Sequence, residues 1–290
     1  MKQLMLTFLL GILFFQTETD AQNTILAKTT PGQKIQIQVP EAQAKSVVAS
    51  FRRKGYVPVF IDAFNHSTQV ATNSGQLKTY FNFVFEKKNT SQYGVNIGAP
   101  FIVHNAGDER IIFLESYLSE SGQIKFNIIT RKNTAVKFKA VHVKSNQFQA
   151  KFNQMKNAGY HITTRTSVRK NGQTYVTALF EKSNVGGWIS KPNLTQAQAT
   201  ALMTQYRNKG WVLRFMDIPN HTKKYNLIFH QKPSGTWYAQ NGFSKNQSLN
   251  KISQAKNNGY KTTMICGYDK PGLINGNEVM KIKYALTFVK

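Results

Sequence analysis

The 290-residue sequence has little of three things: cysteine, acidic residues and long apolar runs. Cys266 is its one cysteine, so no intramolecular disulfide can form, and apolar burial must hold the chain; 41% hydrophobic residues, twenty of them Phe, suffice for that. Between Ile265 and Gly267, in a predicted strand, a lone thiol is expected to be a buried small hydrophobe. Thirteen Asp and Glu stand against 38 Lys and Arg, a net charge of +25. That scarcity leaves no evident carboxylate pair for glycoside hydrolysis, and Asp108-Glu109 reads as part of a turn. The excess of positive charge attracts phosphate, sulfate or carboxylate surfaces over about a Debye length, and it also suits a plain solubilising exterior.

The one pronounced apolar run is Leu4 to Phe15, too short to span a bilayer. It follows Met1-Lys2-Gln3 and leads into a polar stretch with small residues at Thr19 and Ala21, the pattern of a cleavable secretory signal over residues 1–21. The mature protein, residues 22–290, is thus expected to be secreted and extracellular, with no transmembrane segment. The six histidines show no HxH or HExxH spacing and no Gly-rich phosphate loop occurs, so neither metal nor cofactor is expected.

What is present is a repeat. Gly55-Tyr56, Gly159-Tyr160, Gly210-Trp211 and Gly259-Tyr260 share a period near 50 residues, and Gly107 falls where a missing copy belongs. Before Gly210, residues Ala199, Leu202, Met203 and Tyr206 form one helical face, and Val47, Val48 and Phe51 or Phe148, Phe152 and Met155 do the same before their glycines. Each glycine stands where a helix ends in a positive-φ residue. After it comes a β-branched and aromatic run, a polar turn and a strand closing on lysine, as in Tyr175 to Lys182. Trp188 and Trp237 each precede their glycine by 22 residues and mark a strand ahead of the helix, while Thr195 supplies a helix cap.

The fold class is therefore α+β: about five tandem β-α-β-β repeats packed into one domain, with units near 30–88, 89–132, 133–183, 184–232 and 233–290. The second is the weak copy, because Gly94, Gly98 and Pro100 oppose a long helix; a short one is expected near Phe101 to Asn105. Each unit exposes apolar faces that only a neighbour can cover, whether by stacking or by ring closure.

Trp, then Leu-Thr and an amphipathic helix, then Gly-Tyr, a strand, a polar hairpin and a strand ending Phe-x-x-Lys resembles the bacterial tandem repeat domain 1 units, clearest from Trp188 to Lys290. Those units make up the N-terminal half of secreted fungal polyglycine hydrolases. In those enzymes the catalytic serine lies in a separate β-lactamase-like domain, so the resemblance implies a repeat region standing alone, a recognition or scaffold module.

A serine enzyme of that type needs Ser-x-x-Lys at a helix start. Two matches occur, Ser167 with Lys170 and Ser253 with Lys256; the repeat register puts Ser253 at an ordinary helix position and Ser167 at a hairpin entrance. No catalytic residue is expected. N-glycosylation sequons begin at Asn65, Asn89, Asn193, Asn220 and Asn246, those at Asn65 and Asn220 each ten residues after a glycine, at the expected hairpin tip. Arg52, Arg53, Lys54, Arg207 and Lys209 gather at helix ends and form the candidate basic surface. The leading expectation is a non-enzymatic secreted protein that binds an extracellular protein or an anionic glycan or polymer, nucleic acid being less favoured. A hydrolase with a site assembled between repeats, and a structural protein self-assembling through sheet edges or Cys266, are the alternatives.

Overall fold

The structure is a computed structural model that describes residues 29–67, 77–102, 109–132, 135–231, 235–274 and 277–290. The signal segment and Gly107 lie outside the described residues, as does most of the short helix expected near Phe101 to Asn105.

Five units follow one another. The first contains β1 (Gln33–Pro40), α1 (Glu41–Arg53), β2 (Tyr56–Ser67) and β3 (Leu77–Lys87). The second has a single 3-10 turn (Thr90–Gln92), then β4 (Tyr93–Ala99), β5 (Glu109–Leu118) and β6 (Ile124–Lys132). The third has β7 (Lys137–Lys144), α2 (Ser145–Asn157), β8 (His161–Lys170) and β9 (Gln173–Lys182), and the fourth has β10 (Trp188–Leu194), α3 (Gln196–Asn208), β11 (Val212–Asp217) and β12 (Tyr225–His230). The fifth has β13 (Trp237–Phe243), α4 (Lys245–Asn257), β14 (Lys261–Ile274) and β15 (Asn277–Val289). The chain is mostly β, with four helices among the described residues and none in the described part of the second unit.

Each unit makes its own antiparallel sheet of three strands, and the last strand always lies in the middle, as in β1-β3-β2. In four units the helix carries the chain from the outer strand across to the inner one, and the hairpin then returns into the gap between them; the second unit has the same order with no helix in its described part. Helix faces that bury Ala44 and Val48, Phe148 and Met155, Ala199 and Met203, or Leu249 and Ile252 lie on these sheets. Thr195 and Ser244 close capping boxes with Gln198 and Gln247 at the starts of α3 and α4. Gly55, Gly159, Gly210 and Gly259 end the helices at φ between 74 and 81°, a conformation that costs an L side chain about 1–2 kcal/mol.

The units close into a ring. Gln33, at the start of β1, donates through Nε2 to Thr262 O (2.8 Å) and accepts from Thr262 N (3.2 Å), while Thr30 Oγ1 donates to Tyr260 O. Trp237, at the start of β13, makes the corresponding contact one unit earlier, its Nε1 donating to Trp211 O at 2.7 Å. Unit one thus sits on unit five as unit five sits on unit four. The inner strands β2, β5, β8, β11 and β14 consequently surround a common axis. There the rings of Phe60, Phe113 and Phe215, from units one, two and four, meet with centroids 5.7 to 6.3 Å apart and fill the centre.

Candidate functional site

Midway along the axis, every inner strand presents one residue at the same point of the register. Asp62 lies opposite Asn82, Glu115 opposite Asn127, Thr166 opposite Thr177, Asp217 opposite Asn226, and Cys266 opposite Ala285. In the three acidic units the asparagine amide donates to its own unit's carboxyl, at 2.8 Å to Asp62, 2.7 Å to Glu115 and 3.1 Å to Asp217. The same asparagine accepts, through Oδ1, a backbone N–H from a bulge in the outer strand: Gln38 N on Asn82, Gly98 N on Asn127 and Asn193 N on Asn226. All three bulge residues have φ near 60° or just above it. The bulge therefore serves the axis, because it turns one outer-strand N–H inward to hold the amide that holds the acid.

Contacts between units run round the ring through the same positions. Ala63 N donates to Glu115 Oε1 (2.9 Å), Ser116 N to Thr166 Oγ1 (3.0 Å) and Gly267 N to Asp62 Oδ2 (2.8 Å), each residue being one past its own axial position. Burial disfavours the ionised form of these acids. It pushes Asp62 up to about 7 against the hydrogen bonds from Gly267 and Asn82. It pushes Asp217 up to about 8 against its bond from Asn226, with the Asp62 charge adding and Arg165 opposing. Glu115 is raised by burial first and by the Asp62 charge second. Near neutral pH Asp62 and Asp217 are thus partly protonated, able to donate as well as accept.

Above this layer, at the end where the inner strands finish, a cavity of about 310 Å³ opens. Asp62, Glu115 and Asp217 reach it from below, and Asn65, Ser167, Arg169, Asn220, His221 and Asp269 bring polar groups to it. Phe64, Tyr117, Leu118, Val168, Ile218 and Pro219 supply apolar wall. Several of the polar groups are fixed by their neighbours. Asp269 accepts His66 Nδ1 at 2.7 Å and Ser67 N at 3.0 Å, and its own N–H donates to Asn220 Oδ1. His221 has its Nε2 buried without a hydrogen-bond partner, and burial, then Arg169, holds its imidazole below the usual range.

The residues singled out in the sequence are dispersed by the fold. Ser167 lies within β8 and lines the cavity, not at a hairpin entrance, and Lys170 donates to Gln123 Oε1 instead of approaching it. On a strand, positions three apart face opposite sides, so this Ser-x-x-Lys cannot pair. Ser253 donates to Leu249 O inside α4. Among the described residues, no hydrogen bond joins either serine to an amine or imidazole, and no three metal-type side chains converge. Cys266 is fully buried on the axis, its Sγ donating to Met216 O, so the thiol is out of reach of a second chain.

Asn65 is not at a hairpin tip: β2 continues to Ser67, and the Asn65 amide donates to Thr79 Oγ1 and Leu118 O. Asn220 does lie in the turn after β11, and Asn89, Asn193 and Asn246 are exposed. Arg52 is half-buried and donates to Thr90 O and Tyr93 O, anchoring the start of the second unit. Arg53, Lys54, Arg207 and Lys209 are exposed. They belong to units one and four, which are not neighbours in the ring, so they form two patches.

Sequence reasoning missed the axial acids. Their signal was there: a carboxylate in the middle of an apolar strand, Asp62, Glu115 and Asp217, with spacings of 53 and 102 that match one and two repeats.

A closed ring of five three-stranded units around an axial cavity defines a tandem-repeat architecture. Residues 30–88, 141–183 and 234–275 match the family model of the polyglycine hydrolase-like structural repeat. The chain carries that repeat in its first, third and fifth units. No curated protein matches it. No helix of the described residues is long and apolar enough to cross a membrane.

Proposed function

We propose that the protein is a secreted, non-catalytic recognition module that takes a hydroxyl-rich ligand, one or two sugar residues of a glycan, into its axial cavity. The cavity's construction carries this reading. All five contributing units bring an amide, hydroxyl or carboxyl group, and Phe64 and Tyr117 belong to its apolar wall. Its volume of about 310 Å³ lies at the small end of the range of ligand pockets, about 300–1,000 Å³. Carboxyls that both donate and accept suit hydroxyl partners, and their burial disfavours an anion at the floor. Acidic substituents of a longer glycan meet the exposed Arg53, Lys54, Arg207 and Lys209 instead, with the salt sensitivity of surface charge. In the secreted form, N-glycans are carried at the exposed Asn89, Asn193 and Asn246.

A glycan array followed by calorimetry tests the proposal. Ser167→Phe, which fills the cavity, is expected to weaken binding at least tenfold while the melting temperature stays within a few degrees, and Ser167→Ala is expected to bind like the wild type. Retention of no glycan, or equal binding by Ser167→Phe, sinks it.

A further inference from the structure

The end of the axis opposite the cavity, where the inner strands begin, carries a second cluster. Arg110 of β5, Glu181 of β9 and Arg214 of β11 come from three successive units. Arg110 Nη1 stands 3.9 Å from Glu181 Oε2, too far for a hydrogen bond. His161 lies opposite Glu181 in the β8–β9 ladder, and its ring meets that of His230 edge to face at 5.1 Å. Two arginines against one carboxylate leave the cluster one positive charge in excess.

The donors here are poorly matched. Arg110 Nε and His161 Nε2 are both buried without a hydrogen-bond partner, and His161 as a whole is 3% exposed. Buried polar groups are almost always paired, so each unpaired one asks for an explanation. Arg214 occupies the β-bulge between Leu213 and Phe215 and is exposed, although the other inner strands carry Val59, Ile112, Thr163 and Thr263 at the corresponding bulge, all uncharged. An exposed arginine thus sits beside two buried nitrogens, Arg110 Nε and His161 Nε2, that lack partners.

We propose that this end of the axis is an oxyanion site in which Arg110, Arg214 and His161 hold one carboxylate, sulfate or phosphate group. Guanidinium groups present forked donors that match such oxygens. The neutral imidazole adds a donor without adding charge, and burial with the Arg214 charge holds His161 down at about 4. The Glu181 carboxylate attracts the Arg214 guanidinium and Arg110 repels it, a repulsion that an anion relieves. Glu181 attracts both arginines and so restrains affinity.

The test titrates the full chain with sodium sulfate, phosphate and acetate at constant ionic strength made up with chloride, read by calorimetry and thermal shift. Sulfate or phosphate is expected to bind the wild type at one site and raise its melting temperature, and the tightest of the three anions gives the chemistry of the natural group. Arg214→Gln is expected to weaken binding at least tenfold, whereas Arg207→Gln, on the exposed end of α3, changes it less than twofold. Glu181→Gln separates a binding site from a purely structural ion network. Removal of the competing carboxylate is expected to tighten anion binding severalfold, even if it lowers the melting temperature without anion. No specific binding by the wild type, equal loss in Arg214→Gln and Arg207→Gln, or no tightening in Glu181→Gln overturns the proposal. Ser167→Phe leaves this site untouched, so its outcome and that of the cavity are independent.

Discussion

Asp217 shows what a buried carboxyl does in a basic protein. Its side chain is almost wholly enclosed, receives one amide hydrogen bond at 3.1 Å, and is held up to about 8. Asp62 is held up to about 7 by the same cause. In the unfolded chain both titrate near 4, so the folded state retains protons that the unfolded state has lost. The stability this contributes is complete below the unfolded value and disappears as pH rises through 7 and 8. The melting temperature is therefore expected to fall between pH 7 and pH 8.5 in a scan by circular dichroism, above the range in which the lowered His161, His221 and His230 add the opposite trend. Asp217→Asn, which keeps the shape and cannot ionise, is expected to flatten that fall and to match or exceed the wild type at pH 8.5. A wild-type profile that rises over this interval contradicts the assignment. At this scale the sequence was legible where residue type dictates environment: Cys266 is the buried small hydrophobe its neighbours implied. It was illegible where a polar residue is buried, since an Asp in an apolar strand reads as noise until its partners Asn82 and Asn226, 20 and 9 residues away, are known.

Elements were easier to foresee than their arrangement, and the helix ends show why. A glycine after an amphipathic stretch has one common use, and Gly210 fills it at φ 74°, with nothing within 4 Å of where a Cβ would stand. Space costs nothing there, so Gly210→Ala isolates the conformational term and is expected to destabilise by about 1–2 kcal/mol. Chemical denaturation measures this as a lower midpoint with an unchanged slope. An unaffected midpoint means the turn relaxes out of the left-handed region. The bulges of the outer strands had no such signature. Gln38 adopts φ 62° although glutamine gains nothing there, because its N–H is needed by Asn82 Oδ1 at 3.0 Å, a partner 44 residues away. A tertiary bond overrides local preference, and single-sequence periodicity cannot register that. Gly94 and Gly98, which opposed a long helix, lie in β4, and the short helix expected near Phe101 to Asn105 falls mostly outside the described residues. Gly94 stands where a Cβ would fall 2.3 Å from Thr130 Oγ1, and the strand that contains it is entered through Arg52's bonds to Thr90 and Tyr93.

At the scale of the molecule, ring closure was open in the sequence because it depends on the rotation between successive units, a sum of small packing angles that no local pattern encodes. Closure decides how the ring can be cut. Removing residues 233–290 takes Gly267 N from Asp62 and Thr262 from Gln33, and uncovers the inner strand of unit one. Buried groups left unpaired in this way cost about 1–3 kcal/mol each, before the lost apolar burial is counted. This truncated chain is expected to show no cooperative melting transition and to bind a hydrophobic dye. A circular permutant removes no contact. Thr30 bonds to Tyr260 O, and the Lys290 ammonium lies 5.8 Å from the Tyr260 ring centroid, so the two ends of the described chain share a neighbour. Joining them through about ten Gly/Ser residues and opening the chain between β9 and β10 keeps every sheet and every axial hydrogen bond intact. The permutant is expected to melt in one transition within a few degrees of the wild type, with the same near-ultraviolet spectrum. If it unfolds like the truncation, continuity of the chain through unit three to unit four matters more than closure of unit five on unit one. If both variants stay folded, the units are stable as an open stack, and the ring of hydrogen bonds around Asp62, Glu115 and Asp217 is not what holds the protein together.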